Sequence, residues 1–303
     1  MPSARDRFLA FRRALPRPAF LARQVVRARG LDFAVFTTPP VTGPPPLLCV
    51  NGGLLYDHTL LWPALSPLAG RRQLVLYDQR GRGASQAPPG VRAARIEHDA
   101  GDVRALREAL GIERWDVLGH SWGGGIAMLG VADDQPATRR LVLVDPVGAT
   151  SRWLDRLHDG ALARLAPAAR DAIGAAAELM ARSEDLGQYA EHYATYSRAL
   201  YPAWFGDAEL AAVFSPPRAA SRTGAAVAAR LRREGYDWRH RLADLNVATL
   251  VIHGERDLVP VNEARETAAL LPRARLALIP DAGHMPFWEA PEQFFALVEE
   301  FLS

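Results

Sequence analysis

The sequence contains no lysine: all 36 basic residues among its 303 are arginine. That absence excludes Schiff-base and pyridoxal-phosphate lysines, a serine–lysine dyad and a Walker A phosphate loop, each of which needs a primary amine at one position. Cysteine occurs once, at Cys49, so neither an internal disulfide nor a multi-cysteine zinc or iron–sulfur site can form. Its setting in Leu47-Leu48-Cys49-Val50 reads as a buried strand in which the thiol is a packing group. No apolar run approaches the ~20 residues that span a bilayer. The N-terminus also lacks a signal-peptide apolar stretch, so a cytoplasmic protein is expected. A net charge of +2 provides no footprint for nucleic acid. With 49% hydrophobic and 23% charged residues, general disorder is excluded, and the length suits one main domain with an insertion, or two domains.

One stretch departs from this neutral balance. Residues 1–30 hold eight arginines against one acid, Asp6. The stretch reads as a solvated helix face with Phe8, Leu9, Phe11 and Leu15 packed down, interrupted at Pro16 and Pro18; contact with an anionic surface is the alternative.

Short apolar runs alternate with amphipathic segments of helix length, which predicts an α/β fold: an eight-stranded, mostly parallel sheet with helices on both faces. The strands are expected at 24–28 and 33–37, as an opening hairpin, then at 47–50, 73–77, 115–118, 141–144, 249–253 and 275–279. Helices are expected at 59–68, 96–110, 121–132, 261–271 and 291–302. Between the sixth and seventh strands lie about a hundred residues rich in alanine and arginine with no strand pattern. We read 149–240 as a helical cap inserted after strand 6, over the carboxyl edge of the sheet where ligands bind in such folds, and 1–148 with 241–303 as the core.

The chemistry is carried by three strand ends. Gly119-His120-Ser121-Trp122-Gly123-Gly124 runs from a strand into a helix, the context of a nucleophile elbow, whose sharp turn needs glycines beside the serine. A serine hydroxyl is a weak nucleophile until a base takes its proton, and that base needs an acid to hold its tautomer. Asp257 follows one downstream strand and His284 follows the last, giving the order serine, acid, histidine. Asp145, also at a strand end, is a substitute acid, and Asp78 reads as a structural turn. The oxyanion of acyl transfer needs N–H donors; the candidates are the backbone of Trp122, after the serine, and of Gly53, in the Asn51-Gly52-Gly53-Leu54 loop. Within the insertion, Tyr189, Tyr193, Tyr196 and Leu200 recur at helical spacing and are followed by Tyr201, Trp204 and Phe205. Leu54, Tyr193, Tyr196 and Trp204 are the candidate substrate contacts. Histidines 58, 98, 120, 158, 192, 240 and 253 show no metal-ligand spacing, so neither a metal nor a cofactor is expected.

These segments, with Tyr77-Asp78-Gln79-Arg80-Gly81-Arg82-Gly83-Ala84-Ser85, Gly254-Glu255-Arg256-Asp257 and Gly283-His284-Met285-Pro286-Phe287-Trp288-Glu289, resemble the α/β-hydrolase superfamily, and within it the proline iminopeptidase-like branch of serine peptidases and esterases. The resemblance covers nearly the whole core. It implies a metal-free serine mechanism with Ser121, Asp257 and His284 as the triad and a helical cap after the sixth strand. Two places depart from the branch: Asn51 and Leu54-Leu55 stand where its oxyanion loop usually has histidine and proline-glycine, and no Trp-Glu pair occurs between 149 and 240 to hold a substrate amine. Glu178, Glu184, Glu191, Glu209 and Glu234 are the alternative amine anchors, against a reading as solvated helix faces. The expectation is a serine hydrolase that cleaves an ester or amide of a small molecule or short peptide through an acyl-enzyme. Release of an N-terminal proline is the alternative within hydrolases, and a ligand receptor or lyase on the same scaffold the alternative outside them.

Overall fold

The apolar runs pair into one sheet. In a computed structural model that describes residues 3–15, 21–214 and 221–303, its strands are β1 (Ala22–Ala28), β2 (Leu31–Thr37), β3 (Leu47–Val50), β4 (Leu74–Tyr77), β5 (Trp115–His120), β6 (Thr138–Val144), β7 (Ala248–Gly254) and β8 (Ala274–Ile279). Their order is β1-β2-β4-β3-β5-β6-β7-β8. β1–β2 and β2–β4 are antiparallel and every other pair is parallel. The expected opening hairpin is present, with Ala28 opposite Leu31 across an Arg29–Gly30 turn. Every residue of β3, β4 and β5 is buried, as a parallel sheet covered on both faces requires. Cys49 lies in this layer, and burial pushes its thiol far above the usual range.

The helices are α1 (Ala4–Ala14), α2 (Ile96–Ala109), α3 (Trp122–Ala132), α4 (Leu154–Arg164), α5 (Pro167–Ala181), α6 (Leu186–Leu200), α7 (Ala208–Ala211), α8 (Arg222–Glu234), α9 (Arg239–Leu242), α10 (Val261–Leu270), α11 (Pro286–Glu289) and α12 (Pro291–Leu302). The helix expected at 59–68 is not there; the segment forms two 3-10 turns, His58–Leu60 and Ser66–Gly70. Pro63 and Pro67 each remove a donor that a continuous helix would need, and that loss outweighs the apolar spacing. In α1, Ser3 and Asp6 cap each other reciprocally, while Phe8, Leu9 and Phe11 pack down against neighbours that include Phe214, Trp288 and Phe295. Pro16 and Pro18 lie outside the described residues.

Among the described residues, six helices, α4 to α9, intervene between β6 and β7. α4, α5 and α6 share a small apolar cluster of Ala161, Leu165, Ile173, Ala176, Met180, Tyr196 and Leu200, which also takes in Leu258 beyond β7. The insertion therefore packs partly on itself and partly against the segment that carries Asp257. No helix among the described residues is long and apolar enough to cross a membrane.

Candidate active site

β5 ends at His120 and α3 begins at Trp122, so Ser121 is the entire connection. It holds φ 55° and ψ −121°, a conformation that costs a residue with a β-carbon and persists only where the surroundings enforce it. Ser121 N–H donates to the Val144 carbonyl at 2.9 Å, and its own carbonyl accepts from Gly124 and Val147. The turn is this tight because Gly119 and Gly123, two residues to either side, lack side chains. A β-carbon on Gly119 would lie 2.5 Å from the Gly123 carbonyl, and one on Gly123 would collide with the Val50 carbonyl on the neighbouring strand.

The three residues named from the sequence converge. His284 Nε2 lies 2.7 Å from Ser121 Oγ, and His284 Nδ1 lies 2.8 Å from Asp257 Oδ2; all three residues are buried. Asp257 Oδ1 also accepts from the Val259 N–H at 3.1 Å. Burial works against the Asp257 charge, yet attraction to His284, their hydrogen bond, His253 and the Val259 donor together hold its carboxyl below the usual range. Asp145, the substitute acid, makes no contact with His284. Burial and then repulsion by Asp257 hold its carboxyl well above the usual range, and its Oδ2 is buried without a hydrogen-bond partner. Its Oδ1 accepts from Gly254 N–H at 2.8 Å.

Several side chains that position this array were not singled out from the sequence. Glu289 is buried and accepts three backbone N–H groups: Gly283 at 3.0 Å and Gly206 at 2.8 Å on Oε2, and Met285 at 3.0 Å on Oε1. One carboxyl thus ties the His284 loop to the insertion. Burial pushes it up to about 7 despite those donors. His284 N–H donates to the Trp204 carbonyl, and the two rings pack 4.3 Å apart. His120 donates through Nε2 to the His284 carbonyl at 2.8 Å; burial, then the charge of His284, push it down to about 3, so it stays neutral. From α4, Arg164 donates to the carbonyls of Arg256 and Asp257.

The loop after β3 is braced from β4. Asn51 Nδ2 donates to the carbonyls of Gly52 and Tyr56 at 3.1 Å, Gln79 donates to the Asn51 carbonyl at 2.7 Å, and Arg82 to that of Leu54 at 3.2 Å. Arg82 is fixed in turn by Asp99 at 2.9 Å, and Arg80 by Asp102. This accounts for the Tyr77–Ser85 segment: its buried polar side chains hold the Gly53 turn. Trp122, the first residue of α3, has no intrahelical acceptor for its N–H.

Ser121, His284, Gly53 and Trp122 border a cavity of about 130 Å³. Leu54, Tyr193, Tyr196 and Trp204, the residues proposed as substrate contacts, all line it. No carboxylate does so among the described residues; its one arginine is Arg232, from α8. Glu178, Glu184, Glu191, Glu209 and Glu234 are all exposed and outside its wall. Two groups that sequence spacing did not reveal, Asp57 with His58 and Asp78, and Asp145 with His253 and Asp257, bring ligand atoms within 4.8 Å of one another. Both are engaged internally: Asp78 accepts from His58 and Ala84, and His253 donates to the Val259 carbonyl at 3.0 Å.

Comparison with known proteins agrees with this architecture. The sequence profile of the alpha/beta hydrolase fold matches residues 45–291. A proline iminopeptidase of Lactobacillus delbrueckii subsp. bulgaricus is 27% identical over 274 residues, covering 85% of this chain and 89% of that protein. Among solved structures, a proline iminopeptidase-related protein of Thermus thermophilus superposes with a TM-score of 0.68 at 26% identity, covering 93% of this chain and 97% of that one. A thermophilic esterase of Thermogutta terrifontis, in its malate-bound form, gives 0.66 at 26% identity over 93% and 98%.

Proposed function

Because the chain belongs to the α/β hydrolase fold family, we propose that it is a serine hydrolase cleaving a small ester or amide through an acyl-enzyme formed on Ser121. The observation that carries this reading is the buried chain of hydrogen bonds from Ser121 Oγ through His284 to Asp257, at 2.7 and 2.8 Å. Ser121 Oγ attacks the carbonyl carbon while His284 Nε2 takes its proton, and Asp257 keeps the Nδ1 proton in place and stabilises the imidazolium. The carbonyl electrons collect on oxygen, which the Gly53 and Trp122 N–H groups receive. The proton on His284 passes to the leaving alcohol or amine, and water then attacks the acyl carbon with His284 again as base. The helices of 149–240 act as the cap over this site and supply most of its apolar wall.

Two hydrolase readings compete. Proline iminopeptidase activity is supported by the Lactobacillus relative that bears that name. Against it stands the wall of the cavity, which offers a free amine no carboxylate partner and places Arg232 there instead. We therefore favour ester cleavage. The test is hydrolysis of a proline arylamide against a short-chain p-nitrophenyl ester, with Ser121→Ala as the blank. We expect preference for the ester, a burst of acyl-enzyme, and a loss of roughly 10⁶ in turnover in the blank. Preference for the arylamide reverses the order of the two readings. Silence toward both moves the scaffold to a receptor or lyase.

A further inference from the structure

We infer that the substrate carries a remote carboxylate, which Arg232 binds across the cavity from Ser121; this rests on the reading of Ser121 as nucleophile. The starting point is the contrast among three arginines at the end of α8. Arg230, which is partly buried, and Arg233, which is exposed, both pair with Glu234, at 3.4 and 3.0 Å. Arg232 pairs with no carboxylate among the described residues and borders the same cavity as Ser121 and His284. Its guanidinium carbon lies 5.2 Å from the ring centre of Tyr196 and 6.0 Å from that of Tyr193. A planar cation held against two aromatic faces, with no acid claiming its fork, is pre-organised for a carboxylate.

The rest of the wall does not oppose an anion. Away from Ser121, His120 and His284, it carries the hydroxyls of Tyr56, Tyr193, Tyr196, Ser197 and Tyr201, each able to donate to a carboxylate. Burial keeps the phenols of Tyr56 and Tyr201 protonated far above the usual range. The remaining lining, including Leu54, Leu157, Leu200 and Trp204, accommodates a short apolar chain between the reacting carbonyl and the distal charge. A substrate amine placed here would meet a cation of its own sign. Arg232 is itself exposed, so a carboxylate bound to it retains part of its hydration and the gain falls in the lower range for charged hydrogen bonds, roughly 10-fold to 100-fold in affinity.

The experiment compares two esters of equal chain length, p-nitrophenyl valerate and the mono-p-nitrophenyl ester of glutarate, on the intact protein, Arg232→Gln and Ser121→Ala. The reported quantity is the ratio of kcat/KM for the glutarate ester to that for the valerate ester, which a general loss of folding or of Ser121 reactivity does not move. We expect a ratio above one in the intact protein, a fall of roughly 10-fold to 100-fold in Arg232→Gln, carried mainly by KM, and partial recovery in Arg232→Lys. A ratio below one, or one that Arg232→Gln leaves unchanged, overturns the proposal while leaving the nucleophile reading intact. Activity that survives in Ser121→Ala overturns the nucleophile reading itself. A second measurement needs no turnover. Free glutarate slows labelling of Ser121 by a fluorophosphonate in the intact protein and ceases to do so in Arg232→Gln; absence of protection in the intact protein overturns the proposal.

Discussion

Asp257→Asn changes one oxygen to an amide nitrogen at the point where the proposed mechanism is most sensitive. The carboxylate accepts from His284 Nδ1 at 2.8 Å and from Val259 N–H at 3.1 Å. Val259 still needs an acceptor, so the Asn carbonyl oxygen takes that place and the NH₂ faces His284 Nδ1. The ring must then carry its proton on Nε2, the atom that has to receive the Ser121 proton. The cost of the wrong tautomer is roughly 10⁴ in kcat, or about 5 kcal/mol of transition-state stabilisation. Folding should survive, because the substitution removes a buried charge and keeps the size and shape of the side chain. The assay is p-nitrophenol release from whichever ester the intact protein turns over, together with the rate of Ser121 labelling by a fluorophosphonate, with a thermal melt to confirm the fold. Asp145→Asn is the control for a neighbouring buried carboxyl: it has no hydrogen bond or ion pair with His284 and should lose less than about 10-fold. The reasoning fails if Asp257→Asn keeps activity within about 10-fold of the parent, or if Asp145→Asn falls as far as Asp257→Asn does.

Glu289 links acidity to folding. Its carboxyl is raised from 4.5 to about 7, so between those values the folded protein holds a proton that the unfolded chain has released, and stability falls as pH rises through that window. The span corresponds to about 3 kcal/mol, and Glu289→Gln should flatten it in denaturant titrations between about pH 5 and about pH 8; an unchanged slope refutes the assignment. Asp102→Ala leaves Arg80 buried and without its principal partner, with Asp99 3.9 Å away as a partial substitute. We expect a loss of about 3 kcal/mol in unfolding free energy, measured by denaturant melts, with weaker esterase activity as the braced Gly53 turn loosens. Cys49 is fully buried, with its thiol pushed far above the usual range. A thiol reagent should therefore label no cysteine in the native protein and one per chain after denaturation; native labelling at the denatured rate would contradict its placement in β3.

What could be read from the sequence depended on how far each signal reached along the chain. Ser121, Asp257 and His284 were legible because each sits at a strand end marked by its immediate neighbours, and the fold then brings strand ends together. The 59–68 segment misled because apolar spacing suggested a helix that Pro63 and Pro67 do not permit. Glu289 was invisible as a clamp because its partner Gly206 is 83 residues away and contributes only a backbone N–H, which no residue type announces. Arg232 posed a subtler problem. α8 contains four arginines, and composition cannot say which of them reaches the cavity. Burial of Val227, Ala228 and Leu231 fixes the face of α8 that packs, and the rotation so imposed sends Arg230 and Arg233 to Glu234 while Arg232 comes to border the cavity. The glutamates considered as amine anchors are exposed as Arg232 is, but none of them borders the cavity. The acid content of such an insertion is therefore no guide to its pocket until the residues that line it are known, and on the reading proposed here the one arginine that α8 brings to the cavity decides which sign of charge the substrate must carry.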